Sequence, residues 1–208
     1  MSSLLGHLID ACAATIVEHT DELTTLDQAV GDGDHGLNMK RGFEAVALDR
    51  EATASLDPGG ALQKAGMTLV MKVGGASGPL YGSLLMSMGK AAAEPPASAQ
   101  DLALIWAEGI EAIKRRGKSD VGAKTMLDVL VPALDALRAA AGDGRAPGEI
   151  IASVRAAADH GLAATKDMQA TKGRASYLGE RSIGHLDPGA QSSALLIGVV
   201  CDVLEGEG

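Results

Sequence analysis

Apolar residues recur at helical spacing along nearly every long segment of this 208-residue chain, and three glycine-rich stretches, 27–38, 74–83 and 171–190, break the pattern. Leu4, Leu5, Leu8, Ile9, Cys12 and Ile16 share one face, so residues 3–20 read as an amphipathic helix. The same period predicts helices near 38–50, 59–73, 79–92, 99–116, 124–141, 148–166 and 189–204, with a short ninth candidate at 21–29. Ser98 or Asp101 can cap a helix, and Gly117 or Gly142 can stop one. Composition points the same way. There are 36 Ala and 25 Leu against 12 Val, 9 Ile and four aromatics, too few β-branched and aromatic side chains for an all-β fold. Short connections between consecutive helices favour an antiparallel bundle or barrel. The breakers at 94–98 and 142–148 separate helices of similar character, so they read as loops, and residues 1–208 read as one domain.

The net charge of −9 argues against a nucleic-acid partner, which needs a basic face. Two cysteines, Cys12 and Cys201, make no disulfide framework and fit a reducing compartment. No apolar run has the length of a membrane span, and no basic-then-apolar signal segment opens the chain. The expectation is a cytoplasmic protein without a membrane partner.

The glycine-rich stretches also carry Asp, Ser, Asn, His and Arg, a mixture that flexible linkers rarely use and binding sites do. In the first, Asp27, Asp32 and Asp34 fall within eight positions, with Gly31 and Gly33 among them and Gly36 just after. Carboxylates held that close repel one another unless a cation intervenes. A hard divalent ion such as Mg²⁺ prefers oxygen ligands and removes the conflict. Gly31, Gly33 and Gly36 also satisfy the dinucleotide G-x-G-x-x-G spacing, but no strand precedes them and the Asp residues would repel a bare pyrophosphate. An EF-hand starting at Asp32 fails, because Gly36, Leu37 and Phe43 fall on its required positions. Gly117-Lys118-Ser119 resembles the end of a P-loop, yet its first glycine would be Ala112, inside a helix.

In the second stretch, small residues lead into a helix with Pro79 in its first turn. Free amides there, with the Ser77 hydroxyl, can hold a phosphate; a tight helix–helix turn is the alternative. In the third, Arg174 and Arg181 can clamp phosphate, or the loop is fastened by Glu180–arginine pairs. Asp187-Pro188-Gly189 reads as a helix start with Asp187 as its cap. Lys124-Thr125-Met126-Leu127-Asp128 begins another helix, with Thr125 a cap and Met126 a core residue on the plainest reading.

Four segments together resemble the nucleotide-binding subunits (DhaL) of dihydroxyacetone kinases and the matching C-terminal domain of single-chain, ATP-dependent dihydroxyacetone kinases. They are Gly31-Asp32-Gly33-Asp34-His35-Gly36-x-Asn38-Met39, Gly75 to Gly82, Lys124 to Asp128, and Gly173 to Ser182 followed by Asp187-Pro188-Gly189-Ala190. The resemblance spans essentially the whole chain and implies a barrel of eight antiparallel helices with nucleotide and two Mg²⁺ at one rim. By resemblance, Asp27, Asp32 and Asp34 hold the metal ions and, with Arg174, serve the chemistry. His35, Gly36, Leu37 and Asn38 sit beside ADP or ATP, Ala76 and Ser77 line the phosphates, and Thr125 and Met126 border the adenine. Arg174 and Asp187 close the site, with Gly117, Leu186 and Pro188 also touching nucleotide. The family usually places an acidic residue before Lys-Thr-Met; this chain has Ala123.

The family's sugar-binding region, with its lysine and histidine, is not recognisable here, so the resemblance implies that the chain does not phosphorylate dihydroxyacetone alone. A phosphohistidine protein of the phosphotransferase system (DhaM) would recharge bound ADP, and the phosphoryl group would pass to dihydroxyacetone on a partner subunit (DhaK). His35 then reads as a nucleotide neighbour and not as a phosphorylated residue. Three other readings stay open. They are an ATP-exchanging ketose kinase acting on dihydroxyacetone or erythrulose, a magnesium-dependent phosphohydrolase, and a nucleotide sensor that binds a transcriptional regulator.

Overall fold

The computed structural model describes residues 4–206, and among these there are helices and no strands. They are α1 (Leu4–Glu18), α2 (Thr20–Val30), α3 (His35–Leu48), α4 (Arg50–Ala54), α5 (Pro58–Lys72), α6 (Ser77–Ala91), α7 (Ala99–Gly117), α8 (Leu127–Gly142), α9 (Pro147–Thr165) and α10 (Pro188–Gly206). A 3-10 segment, Arg174–Ser182, lies between α9 and α10. The all-α expectation holds, and the ninth candidate at 21–29 is α2. Two elements escaped the periodicity: five-residue α4, too short to show a period, and the 3-10 segment, whose tighter turn does not produce the 3.6-residue pattern.

Helix ends follow local chemistry. Ser98 accepts a hydrogen bond from the Asp101 amide at 3.1 Å and starts α7, which ends in Lys114, Arg115 and Arg116, where cations complement the helix dipole. Asp57 caps α5 through the Gly60 amide at 2.9 Å, with Pro58 in the first turn. The helix expected from residue 124 begins only at Leu127. Lys124 has φ +60, and the Asp128 carboxylate accepts from the Gly122 amide at 2.5 Å and the Thr125 amide at 2.8 Å, holding the preceding residues outside the helix.

Eight helices pack each on the next in the order α1, α3, α5, α6, α7, α8, α9, α10, and α10 packs back on α1. The ring is therefore closed. Neighbours run in opposite directions where contacts fix the sense. Gly59 meets Gly89 and Gly66 meets Gly82 between α5 and α6, and Gln100 at the start of α7 reaches the Ala141 carbonyl at the end of α8. Arg155 and Ile151 of α9 meet Gly198 and Cys201 of α10 in reversed order. The glycine pairs let the backbones of α5 and α6 approach so closely that a β-carbon at Gly66 or Gly82 would strike the partner's carbonyl. α2 packs on α3 and α10, and α4 on α1 and α5, outside the ring order.

One contiguous apolar core draws on nine of the helices, with Ile16, Leu23, Met39, Leu69, Ile113, Leu127 and Val129 almost fully withdrawn from water. Burying a side chain of this size contributes about 1.5–3 kcal/mol. Both cysteines are free. No helix among the described residues is long and apolar enough to cross a membrane.

Candidate functional site

Asp27 lies in the last turn of α2 and is buried. One of its carboxylate oxygens accepts from the backbone amides of Asp34 at 2.9 Å and His35 at 3.1 Å. That clasp folds loop 31–34 back over the end of α2 and sets the start of α3. Gly31 is required there, since a β-carbon would collide with the Asp27 carboxylate, and Gly33 turns with φ +74. The result is that Asp27, Asp32 and Asp34 each present an oxygen within 4.8 Å of the others. At an effective dielectric near 20, two unit charges that far apart repel by about 3–4 kcal/mol. The Arg174 guanidinium reaches Asp32 at 2.7 Å, but its side chain is 63% exposed, and exposed pairs are worth about 0–1 kcal/mol. Arginine alone does not settle the charge. The donor set fits a hard divalent cation, which prefers oxygen ligands.

His35 begins α3 and is buried, with both ring nitrogens engaged: Nδ1 lies 3.0 Å from Ser77 Oγ and Nε2 lies 2.9 Å from Ser192 Oγ. Burial holds its pKa below the ordinary histidine value, outweighing the opposite pull of Asp27 and Asp34. A neutral imidazole can donate to one hydroxyl and accept from the other. The ring therefore orients Ser77. The Tyr81 hydroxyl continues this network, 2.8 Å from Ser192 Oγ and from Ser193 Oγ, and burial pushes its pKa up to about 12. Ser192 and Ser193 drew no notice in the sequence, where small residues on α10 look like ordinary packing, and Tyr81 carried no assigned role.

Ser77 opens α6, with Ala76 just before it, so the first amides of that helix are open to an anion. Asn38 is buried against Gly74, where a β-carbon would come within 2.6 Å of its Oδ1, and it accepts from the Arg41 guanidinium. Gly36 is taken up by packing, since a β-carbon there would strike α2 at Thr20 and Thr24. Leu37, by contrast, is exposed.

The later motifs arrive from the other end of the chain. Asp187 caps α10 through the Ala190 amide at 2.7 Å, and its own amide donates to Thr165 Oγ1 at 3.2 Å. Burial lifts its carboxyl to about 7; Asp128 and Asp27 add to the shift and Lys124 opposes it. Asp187 thus lies within electrostatic reach of both the acidic loop and the start of α8. Thr125 Oγ1 accepts from the Leu127 amide at 3.2 Å, and Met126 is buried in the core against Gly189. Pro188 is buried at the first position of α10. Arg174 pairs with Asp32 rather than Glu180, beside a cleft of about 600 Å³ lined by Gln28, Val30, Tyr177 and Leu178. Leu186, next to Asp187, lines a cleft with Leu26 and Leu162, and Gly117 ends α7 against Leu80, near the start of α6.

Fold and site together define an all-helical protein whose edge carries a carboxylate cluster suited to a divalent cation beside an open helix N-terminus. The chain belongs to the DAK2 domain family, whose model matches residues 29–202. It is 48% identical over 181 residues to the ADP-binding subunit DhaL of PEP-dependent dihydroxyacetone kinase 1 from Listeria innocua, covering 87% of this chain and 86% of that one. To the corresponding DhaL subunit of Escherichia coli it is 42% identical over 182 residues, 87% of each chain. The fold also matches the crystal structure of the C. freundii dihydroxyacetone kinase in complex with AMP-PNP and Mg²⁺, with a TM-score of 0.74 at 23% identity, over 97% of this chain and 34% of that longer one.

Proposed function

We propose that this chain is the nucleotide-binding subunit of a dihydroxyacetone kinase, holding ADP or ATP with two magnesium ions at the edge where the four motifs meet. The observation that carries the reading is the cluster of Asp27, Asp32 and Asp34 within 4.8 Å, next to His35, whose ring reaches Ser77 at the open start of α6. The relatives' names, ADP-binding subunits of PEP-dependent dihydroxyacetone kinases, support it. The chemistry is a relay: a phosphohistidine donor protein (DhaM) charges the bound nucleotide, and dihydroxyacetone on a partner subunit (DhaK) receives the phosphoryl group.

Phosphoryl transfer asks a protein mainly for positioning and charge neutralisation. Asp27, Asp32 and Asp34 would hold the magnesium ions, which when bound neutralise phosphate charge. Ser77, fixed by His35, and the first amides of α6 hold phosphate oxygens. Arg174 is exposed enough to turn from Asp32 to a phosphate, where its planar fork suits the geometry. His35 takes no part as a nucleophile, because both its nitrogens are committed to hydroxyls.

The test is to desalt the purified protein in Mg²⁺, denature it and assay the released nucleotide. Stoichiometric ADP that leaves only with EDTA is the expected result. An empty protein that exchanges ATP freely turns the reading to an ATP-exchanging ketose kinase, and one that binds neither nucleotide overturns it.

A further inference from the structure

Lys124 is the largest of the side chains that are almost completely buried, at 1% exposure. Its Nζ donates to four backbone carbonyls: Thr165 at 2.8 Å, Met168 at 3.1 Å, Ser182 at 2.7 Å and His185 at 2.6 Å. An ammonium has three hydrogens, so four acceptors share them around one charge. The acceptors come from the end of α9, the turn after it, the end of the 3-10 segment and the approach to α10. Three of them lie within segment 166–187, which carries Arg174 and Asp187, and Thr165 immediately precedes it. The segment is also closed on itself, with the Gly184 amide donating to the Lys166 carbonyl at 2.8 Å and the Ala170 amide to Ser182 Oγ at 2.9 Å. Those bonds fold it. They do not dock it on the start of α8, which Lys124 does, helped by the Thr171 amide on the Ala123 carbonyl at 3.2 Å.

The backbone at Lys124 stands at φ +60, a left-handed conformation costly for a long side chain and cheap for glycine. Retaining lysine there, and burying its charge, needs a compensating interaction. Four carbonyl oxygens supply it.

We propose that Lys124 is a positioning residue for nucleotide binding: its ammonium gathers four carbonyls at one point and so docks segment 166–187, with Arg174 and Asp187, against the Thr125-Met126 edge of the site. The inference rests on the nucleotide-binding reading.

The experiment measures ADP binding with Mg²⁺ by equilibrium dialysis for wild type and Lys124→Ala, with far-ultraviolet circular dichroism on both. Deletion leaves a space the shape of n-propylammonium. The expected outcome is unchanged helical signal, ADP affinity weakened by at least about tenfold, and partial recovery with n-propylammonium but not with equal tetramethylammonium, which has no N–H to donate. Wild-type affinity in the variant overturns the proposal, and so does a weakened affinity that the amine leaves unmoved. Should the variant not fold, hydrogen exchange on wild type without nucleotide decides. Slow exchange of the hydrogen-bonded amides in 166–187 is expected, and exchange that becomes slow only with ADP overturns it. Absence of ADP binding by wild type overturns the nucleotide reading, while the exchange result still reports on the docking.

Discussion

Asp32 shows how a single side chain can be set in tension by its surroundings. It is one of three carboxylates within 4.8 Å, and its counter-charge, Arg174, is mostly in water. Asp32→Asn is expected to weaken ADP retention and to lower phosphoryl transfer by about a hundredfold or more, the order seen when one charge-stabilising group is lost. Circular dichroism should show the helices intact; retained nucleotide and activity would refute the three-carboxylate site. Asp187 makes a separate prediction. Its carboxyl titrates at about 7 in the fold against an ordinary 3.8, so the folded chain keeps a proton that the unfolded chain releases between those values. The associated stability is fully present below about pH 4 and is lost as pH rises through about 7. Urea midpoints should therefore show wild type losing stability relative to Asp187→Asn across that window, since the amide can still accept from Ala190. His35 acts in the opposite sense, its contribution disappearing as pH falls below 6.5. The difference between the two proteins, not the wild-type curve, isolates Asp187.

At the level of the element, α8 and α9 illustrate how a missing donor is turned to use. Pro132 inside α8 has no N–H for the carbonyl of Asp128, four residues earlier. Gly161 of α9 packs on that freed carbonyl so closely that a β-carbon would collide with it. Gly161→Ala should thus cost about 1–3 kcal/mol, measured by denaturant unfolding, because two backbones must separate. The sequence suggested nothing of this; glycine inside a helical pattern reads only as a weak helix former. Helix starts, in contrast, were legible wherever a local cap acts, as at Ser98 and Asp187. They were misplaced at Leu127, where Asp128 reaches backward to hold the preceding loop.

For the whole molecule, the closed ring means that the site's parts come from helices brought together only when the ring is complete. A ligand bound there should stabilise every helix at once. ADP with Mg²⁺ at about a hundred times its Kd is expected to add about 2.7 kcal/mol to unfolding. The melting temperature should rise by roughly 5–10 °C, and EDTA should return it to the unliganded value. A scan with no shift would separate the site from nucleotide binding.

The helical class, the acidic glycine loop and the small-residue turn into α6 could all be read from the chain, because a 3.6-residue period, a run of carboxylates between glycines and a cluster of small residues before a helix are each properties of neighbours in sequence. What closes the ring, what holds His35 neutral between Ser77 and Ser192, 157 positions from it, and why Lys124 is buried were decided by the tertiary structure. Each depends on atoms that meet only after the intervening helices have packed, and on whether water is excluded where they meet. Side chains that look alike in sequence, Lys124 and the exposed Lys118, or buried Asp27 and exposed Asp32, stand in different surroundings for that reason.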